Sequence, residues 1–132
     1  MSWLNIKNFG IKALQQYLLN TGCKIIICIA DKQYTYIWFT NGDYEQVSSN
    51  IKQIKLKLSD NYLFRSHESY LVNLNYIIHI DYDNLLITME GGHTAKLRKT
   101  KVATLKLLMA NREIPEVIDF VSTNLVERKS AR

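Results

Sequence analysis

His67, Glu68 and Ser69 follow one another directly, and an imidazole, a carboxylate and a hydroxyl are the parts of a hydrolytic nucleophile–base–orienter chain. Their spacing argues against it. Residues 62–69 read as a strand, where successive side chains point to opposite faces, so Glu68 should face away from His67 and Ser69. No Gly-x-Ser-x-Gly elbow, His-Glu-x-x-His pair or phosphate-cradling glycine loop occurs, and Gly91-Gly92 lies between two strand-like runs as a turn. His79 and His93 have no metal-ligand residues at useful spacing. Cys23 and Cys28 fit neither a zinc pair nor a thioredoxin-like motif, and Cys28 sits in the apolar run Lys24-Ile25-Ile26-Ile27-Cys28-Ile29 as a buried reduced thiol. The chain therefore reads as no enzyme, with no cofactor, no metal and no small-molecule substrate.

Charge points elsewhere. Seventeen Lys and Arg against twelve Asp and Glu leave a formal charge of +5 in 132 residues. Between Thr94 and Arg112 the basic residues Lys96, Arg98, Lys99, Lys101, Lys106 and Arg112 meet no carboxylate. A solvated face is the ordinary meaning of such a run, but this many uncompensated charges in one segment favour an anion-binding surface, with phosphate the natural anion. Lys96, Arg98 and Lys99 fall where a strand gives way to a helix, and no carboxylate near in sequence competes for Arg98.

The elements that must hold these residues form a β-rich centre bracketed by helices. Residues 6–19 place Ile6, Phe9, Ala13, Leu14, Tyr17 and Leu18 near helical spacing and stop at Thr21-Gly22. Residues 24–30 and 34–39 are strand-forming, and Asn41-Gly42 marks a hairpin into residues 44–47. Ser48-Ser49-Asn50 can cap a short helix through Leu58. Strands are expected over residues 62–69, 76–82, 85–89 and 94–98. A helix follows over residues 101–111, and a last one starts near Pro115, with Glu116 and Asp119 at its positive end and Arg128 and Lys129 at its negative end. At 47% hydrophobic and 22% charged residues, such a chain can bury a core without disulfides. No run is long enough for a membrane-spanning helix, residues 1–10 lack a signal peptide's apolar core, and a cytoplasmic location is expected.

The stretch from Tyr62 to Ile77 has an aromatic–Arg–x–His–x–Ser–aromatic pattern running into Val-Asn, carried by Arg65, His67, Ser69, Tyr70, Val72 and Asn73. This resembles the core signature of the LytTR DNA-binding domain, and the flanks agree in order from about Lys24 to Lys106. The resemblance implies a mainly β (α+β overall) fold: a compact antiparallel core of short strands and hairpins with a short helix, flanked by N- and C-terminal helices. It divides the chain into an N-terminal extension (1–22), the DNA-binding domain (23–108) and a C-terminal extension (109–132).

Members are bacterial transcription regulators, mostly C-terminal to a phosphoacceptor domain, whose loops rather than a recognition helix enter successive major grooves. With about twenty residues ahead of the core, this chain is similar to stand-alone members, some of which a small membrane protein holds inactive. The implied partners are double-stranded DNA, a second copy on DNA and such a membrane regulator. Carried over by position, the loop Lys32-Gln33-Tyr34-Thr35, Glu68 after the signature histidine, and Arg98 of the last hairpin would face DNA. Arg98 would read guanine, Lys96 and Lys99 would hold phosphates, and Arg65, Ser69 and Lys101 belong to the same candidate surface. His67 either donates to DNA or pins the neighbouring loop.

Two residues depart from the family pattern. Glu68 stands where members usually carry Arg, Lys or Asn; it either accepts from cytosine N4 or repels phosphates. Lys96 replaces a common serine. The tail past Ile114 is longer than usual and reads as packing on the core or a partner. The alternative is a protein-interaction or assembly module on the same fold, with DNA contact weakened by Glu68.

Overall fold

The computed structural model describes residues 10–113, so the helix expected near Pro115 lies outside the described residues. Two compact units divide the chain, one ending at Lys99 and the other starting at Thr100.

In the first unit α1 (Ile11–Thr21) precedes β1 (Ile25–Asp31), β2 (Tyr34–Phe39) and β3 (Tyr44–Val47). Then come α2 (Ile51–Leu58), β4 (Leu63–His67) and β5 (Tyr70–Asn73), and finally β6 (Ile77–Asp81), β7 (Leu86–Met89) and β8 (Thr94–Lys96). The strands form a five-stranded sheet in the order β3-β2-β1-β5-β4 and a three-stranded sheet in the order β6-β7-β8, with antiparallel pairing throughout. The mixed, β-rich class read from the sequence is the class observed.

Local chemistry sets the element ends. Gly22 closes α1 in the left-handed region at φ 73°, donating its N–H to Leu18 O. Of the three polar residues before α2, Asn50 is the cap: its side chain accepts from Gln53 N, while the Gln53 side chain accepts from Asn50 N. The Asn41-Gly42 turn joins β2 to β3, with Gly42 at φ 91° supplying the backbone conformation a larger residue resists.

One face of the large sheet packs Cys28, Ile37, Phe39, Val47 and Leu71 against Leu14 and Tyr17 of α1 and Ile51 and Ile54 of α2. On the opposite face Ile27, Phe64 and Val72 are also buried, and β8 lies against β4 and β5. Both cysteines are buried and free, and burial pushes the Cys28 thiol well above its ordinary value.

Glu45 places a carboxyl group in this core. It pairs with Ile37 across β3 and β2 and is buried on the helix-facing side. Its Oε1 accepts from Gln46 N at 3.2 Å, but Oε2 has no hydrogen-bond partner. Burial raises its pKa, the Gln46 bond pulls it back and nearby Asp43 raises it further. A carboxyl raised in the folded state binds its proton more tightly there than in the unfolded chain. Its contribution to stability is therefore full below the unfolded value and is lost as pH rises through the folded one. Glu45→Gln should raise Tm at pH 8, with the gain shrinking toward pH 4. A gain independent of pH in thermal melts would count against a buried carboxylate.

Candidate nucleic-acid interface

Asp31 pairs with Tyr34, leaving Lys32 and Gln33 as the exposed tip of the β1–β2 hairpin, with Lys32 at φ 61°. His67 pairs with Tyr70, so Glu68 and Ser69 form a second tight turn between β4 and β5. Ile29 pairs with Tyr70, and Ala30 N donates to Ser69 O at 2.8 Å. The two hairpin tips therefore sit side by side at one end of the large sheet.

This corrects the single strand expected over residues 62–69. The strand ends at His67, and Tyr70–Asn73 is a strand of its own. No glycine, proline or asparagine marks the turn, because signature side chains hold it instead. Arg65 Nη2 donates to Glu68 O at 2.9 Å, and Ser69 N donates to His67 Nδ1 at 3.0 Å. Of the two roles open to His67, the pin is observed. With Nδ1 accepting, the proton of the neutral ring sits on Nε2, which leaves that atom as a donor. Tyr70 meets the imidazole edge-on, with ring centroids 5.6 Å apart.

The basic segment reaches the turn through Ser66, a residue the sequence did not single out. Ser66 is fully buried; its Oγ donates to Lys96 O at 2.8 Å, and its carbonyl accepts from Arg98 N at 2.8 Å. Its place at the unspecified position between Arg65 and His67 was the available signal: a small hydroxyl on the buried alternation of a strand suits a bridge to another backbone. Leu97 is buried and donates its N–H to Leu85 O, so Lys96 and Arg98 on either side of it are exposed. Lys99 is exposed too.

Two further expectations change. Thr35 is buried, its hydroxyl donating to Ser49 O at 2.8 Å across to the start of α2, and Tyr34 is half-buried in β2, so of the four expected loop residues only Lys32 and Gln33 form the exposed turn. Arg98 does meet a carboxylate: its Nη1 lies 2.9 Å from Glu68 Oε1. Their separation of 30 positions hid the pair from a reading of sequence neighbours. Lys101 is half-buried and belongs to the second unit, with α3 (Val102–Glu113).

Among the described residues no cluster of His, Cys, Asp and Glu is arranged to hold a metal, and no helix is long and apolar enough to cross a membrane. A family model described as the LytTr DNA-binding domain matches residues 15–110. The chain belongs to the LytTR family.

That family is one of DNA-binding domains rather than enzymes, so a DNA-binding regulator is the general class of this chain. Among solved structures, the LytTR fold of this chain resembles the LytTr DNA-binding domain of a Bacillus cereus protein described as a methyl-accepting/DNA response regulator. The two share 20% identity at a TM-score of 0.57, over 65% of this chain and 81% of that one. No curated relative matches the chain.

Proposed function

We propose that this protein is a sequence-specific transcriptional regulator that sets its two hairpin tips into the major groove of double-stranded DNA. The observation that carries this reading is the Ser66 bridge, which brings the backbone of Lys96 and Arg98 to the turn at Glu68 and Ser69. Arg65 and His67 stiffen that turn, and a loop fixed before binding loses little freedom on docking. Arg98 has the planar fork that matches guanine O6 and N7, while Lys96 and Lys99 carry compact charges suited to phosphates. Lys32 and Gln33 extend the same end of the sheet toward a neighbouring stretch of groove.

Titrating salt against affinity for mixed-sequence duplex tests the reading. Phosphate contacts release counterions, so affinity should fall steeply and linearly on a log–log scale. Lys99→Ala, or Lys96→Ala, should weaken binding to all sequences alike and reduce the salt slope by about one unit. Absence of binding at low salt would sink DNA binding and favour an assembly module. A changed base preference with an unchanged slope would sink the phosphate role of the lysines.

A further inference from the structure

Glu68 and Arg98 come from different hairpins, yet neither backbone is free to wander. The Glu68 carbonyl is held by Arg65, and the next residue, Ser69, is held through its N–H by His67 and through its carbonyl by Ala30. Arg98 is anchored by its N–H on Ser66 and by the burial of Leu97 beside it. The side chains meet at 2.9 Å while keeping exposures of 48% for Arg98 and 66% for Glu68. An ion pair this open to water is weak, too weak to withhold the arginine from DNA. It is enough to orient the guanidinium.

We infer that Glu68 and Arg98 act together as one reader of a single G·C base pair, guanine under Arg98 and cytosine under Glu68. This inference rests on the DNA-binding reading above. The guanidinium has five N–H donors and the ion pair engages one nitrogen, leaving a donor edge; the carboxylate beside it supplies only acceptors. Across the pair the sequence of functions is donor, donor, acceptor. The major-groove edge of G·C offers the complement in the same order: guanine N7 and O6 accept, and cytosine N4 donates. An A·T pair alternates acceptor, donor, acceptor and fails the match. A C·G pair in the opposite orientation sets the carboxylate against guanine N7 and a guanidinium donor against the cytosine N4 donor, so the pair also fixes which strand carries guanine. Inside the groove, with water displaced, the attraction between the two side chains strengthens. Lys96 and Lys99, both exposed on the same segment, offset the repulsion between Glu68 and phosphates.

The test enriches bound duplexes from a random-sequence pool with the full chain and takes as the target position the one whose preference Arg98→Ala abolishes. Affinity is then measured on the natural site, on a site with 7-deazaguanine (no N7 acceptor) and on one with N4-methylcytosine (donor blocked). The wild type should lose roughly tenfold on either modified site, the scale of one good base contact. Glu68→Ala should lose roughly tenfold on the natural site, ignore the cytosine methyl group and still respond to 7-deazaguanine. If Glu68→Ala binds every duplex more tightly with the preference unchanged, Glu68 is a shield and the joint reading is overturned, with DNA binding intact. If the wild type ignores N4-methylcytosine, the inference fails whatever the variant does. If the wild type enriches nothing from the pool even at low salt, DNA binding itself fails and the inference falls with it.

Discussion

Arg98→Ala is expected to weaken binding to the preferred site by about 1–3 kcal/mol while costing much less on random DNA. The asymmetry follows from what the side chain touches. On random DNA an arginine near the backbone contributes charge, which Lys96 and Lys99 also provide; on the preferred site its two parallel donors meet guanine. Arg98→Lys should therefore restore non-specific binding more than specificity, since an ammonium keeps the charge and loses the fork. Folding should hardly register the change. The lost Glu68 pair is exposed at both ends, and such pairs are worth at most about 1 kcal/mol. Competition binding on specific and random duplexes, alongside a thermal melt, checks all three statements. Equal losses on both duplexes would make Arg98 a phosphate contact, and a collapse in Tm would make it structural.

Asn73→Leu should do the reverse, with a large loss of stability and an unchanged ratio of specific to random binding in the folded protein. Asn73 is buried at the end of β5, where its Nδ2 donates to Ile25 O at 2.8 Å and its Oδ1 accepts from Asn75 N at 2.9 Å. Leucine matches its bulk but removes both bonds and deprives the buried Ile25 carbonyl of its side-chain donor, a penalty on the order of 3 kcal/mol. For a domain of this size that lowers Tm by roughly 10–20 °C. Ile25 opens β1 and Asn73 ends β5, so the damage falls at the end of the sheet away from the hairpin tips. A loss below about 1 kcal/mol in denaturant unfolding would mean that the amide is not the tie it resembles. A fall in specificity below the melting range would mean that the two ends of the sheet are coupled.

What the sequence revealed and what it hid divide along the distance between interacting residues. β2 and β3, the Asn41-Gly42 turn and the short helix from Ile51 to Leu58 fall where local propensity puts them, because a glycine with positive φ and a capping asparagine act within a few residues. The turn at Glu68 and Ser69 escaped because Arg65 and His67 stabilise it by side-chain bonds rather than by turn-forming residues. Thr35 belongs to a strand-forming run, and only the positional carry-over from the family puts it in the loop; the partner that buries its hydroxyl, Ser49 O, lies beyond the next hairpin. The meeting of Glu68 with Arg98, and the bridge at Ser66, depend on which strands become neighbours. The signature motif drew attention to one hairpin and the charge run to one basic segment, but neither gave a sign that a carboxylate of the first would sit on the guanidinium of the second.

The Ser66 bridge also sets an order of assembly. The β4–β5 hairpin closes through a two-residue turn, an event of roughly 1–10 μs for an isolated hairpin. Joining Ser66 to Lys96 instead encloses a span of 30 residues. By loop-closure entropy that step costs about 2 kcal/mol more than the tight turn before any contact rewards it. Its reward is two backbone-directed hydrogen bonds and the burial of Leu97, so the strap from Lys96 to Arg98 should be the last part of the reading surface to form and the first to open. Native-state hydrogen exchange should find the Arg98 amide less protected than those of Ile27 and Val72 in the central strands. Under mild denaturant, base discrimination should disappear while the far-ultraviolet signal of the sheets persists. Simultaneous loss of both would make the whole unit one cooperative block, with the strap as stable as the sheet that carries it.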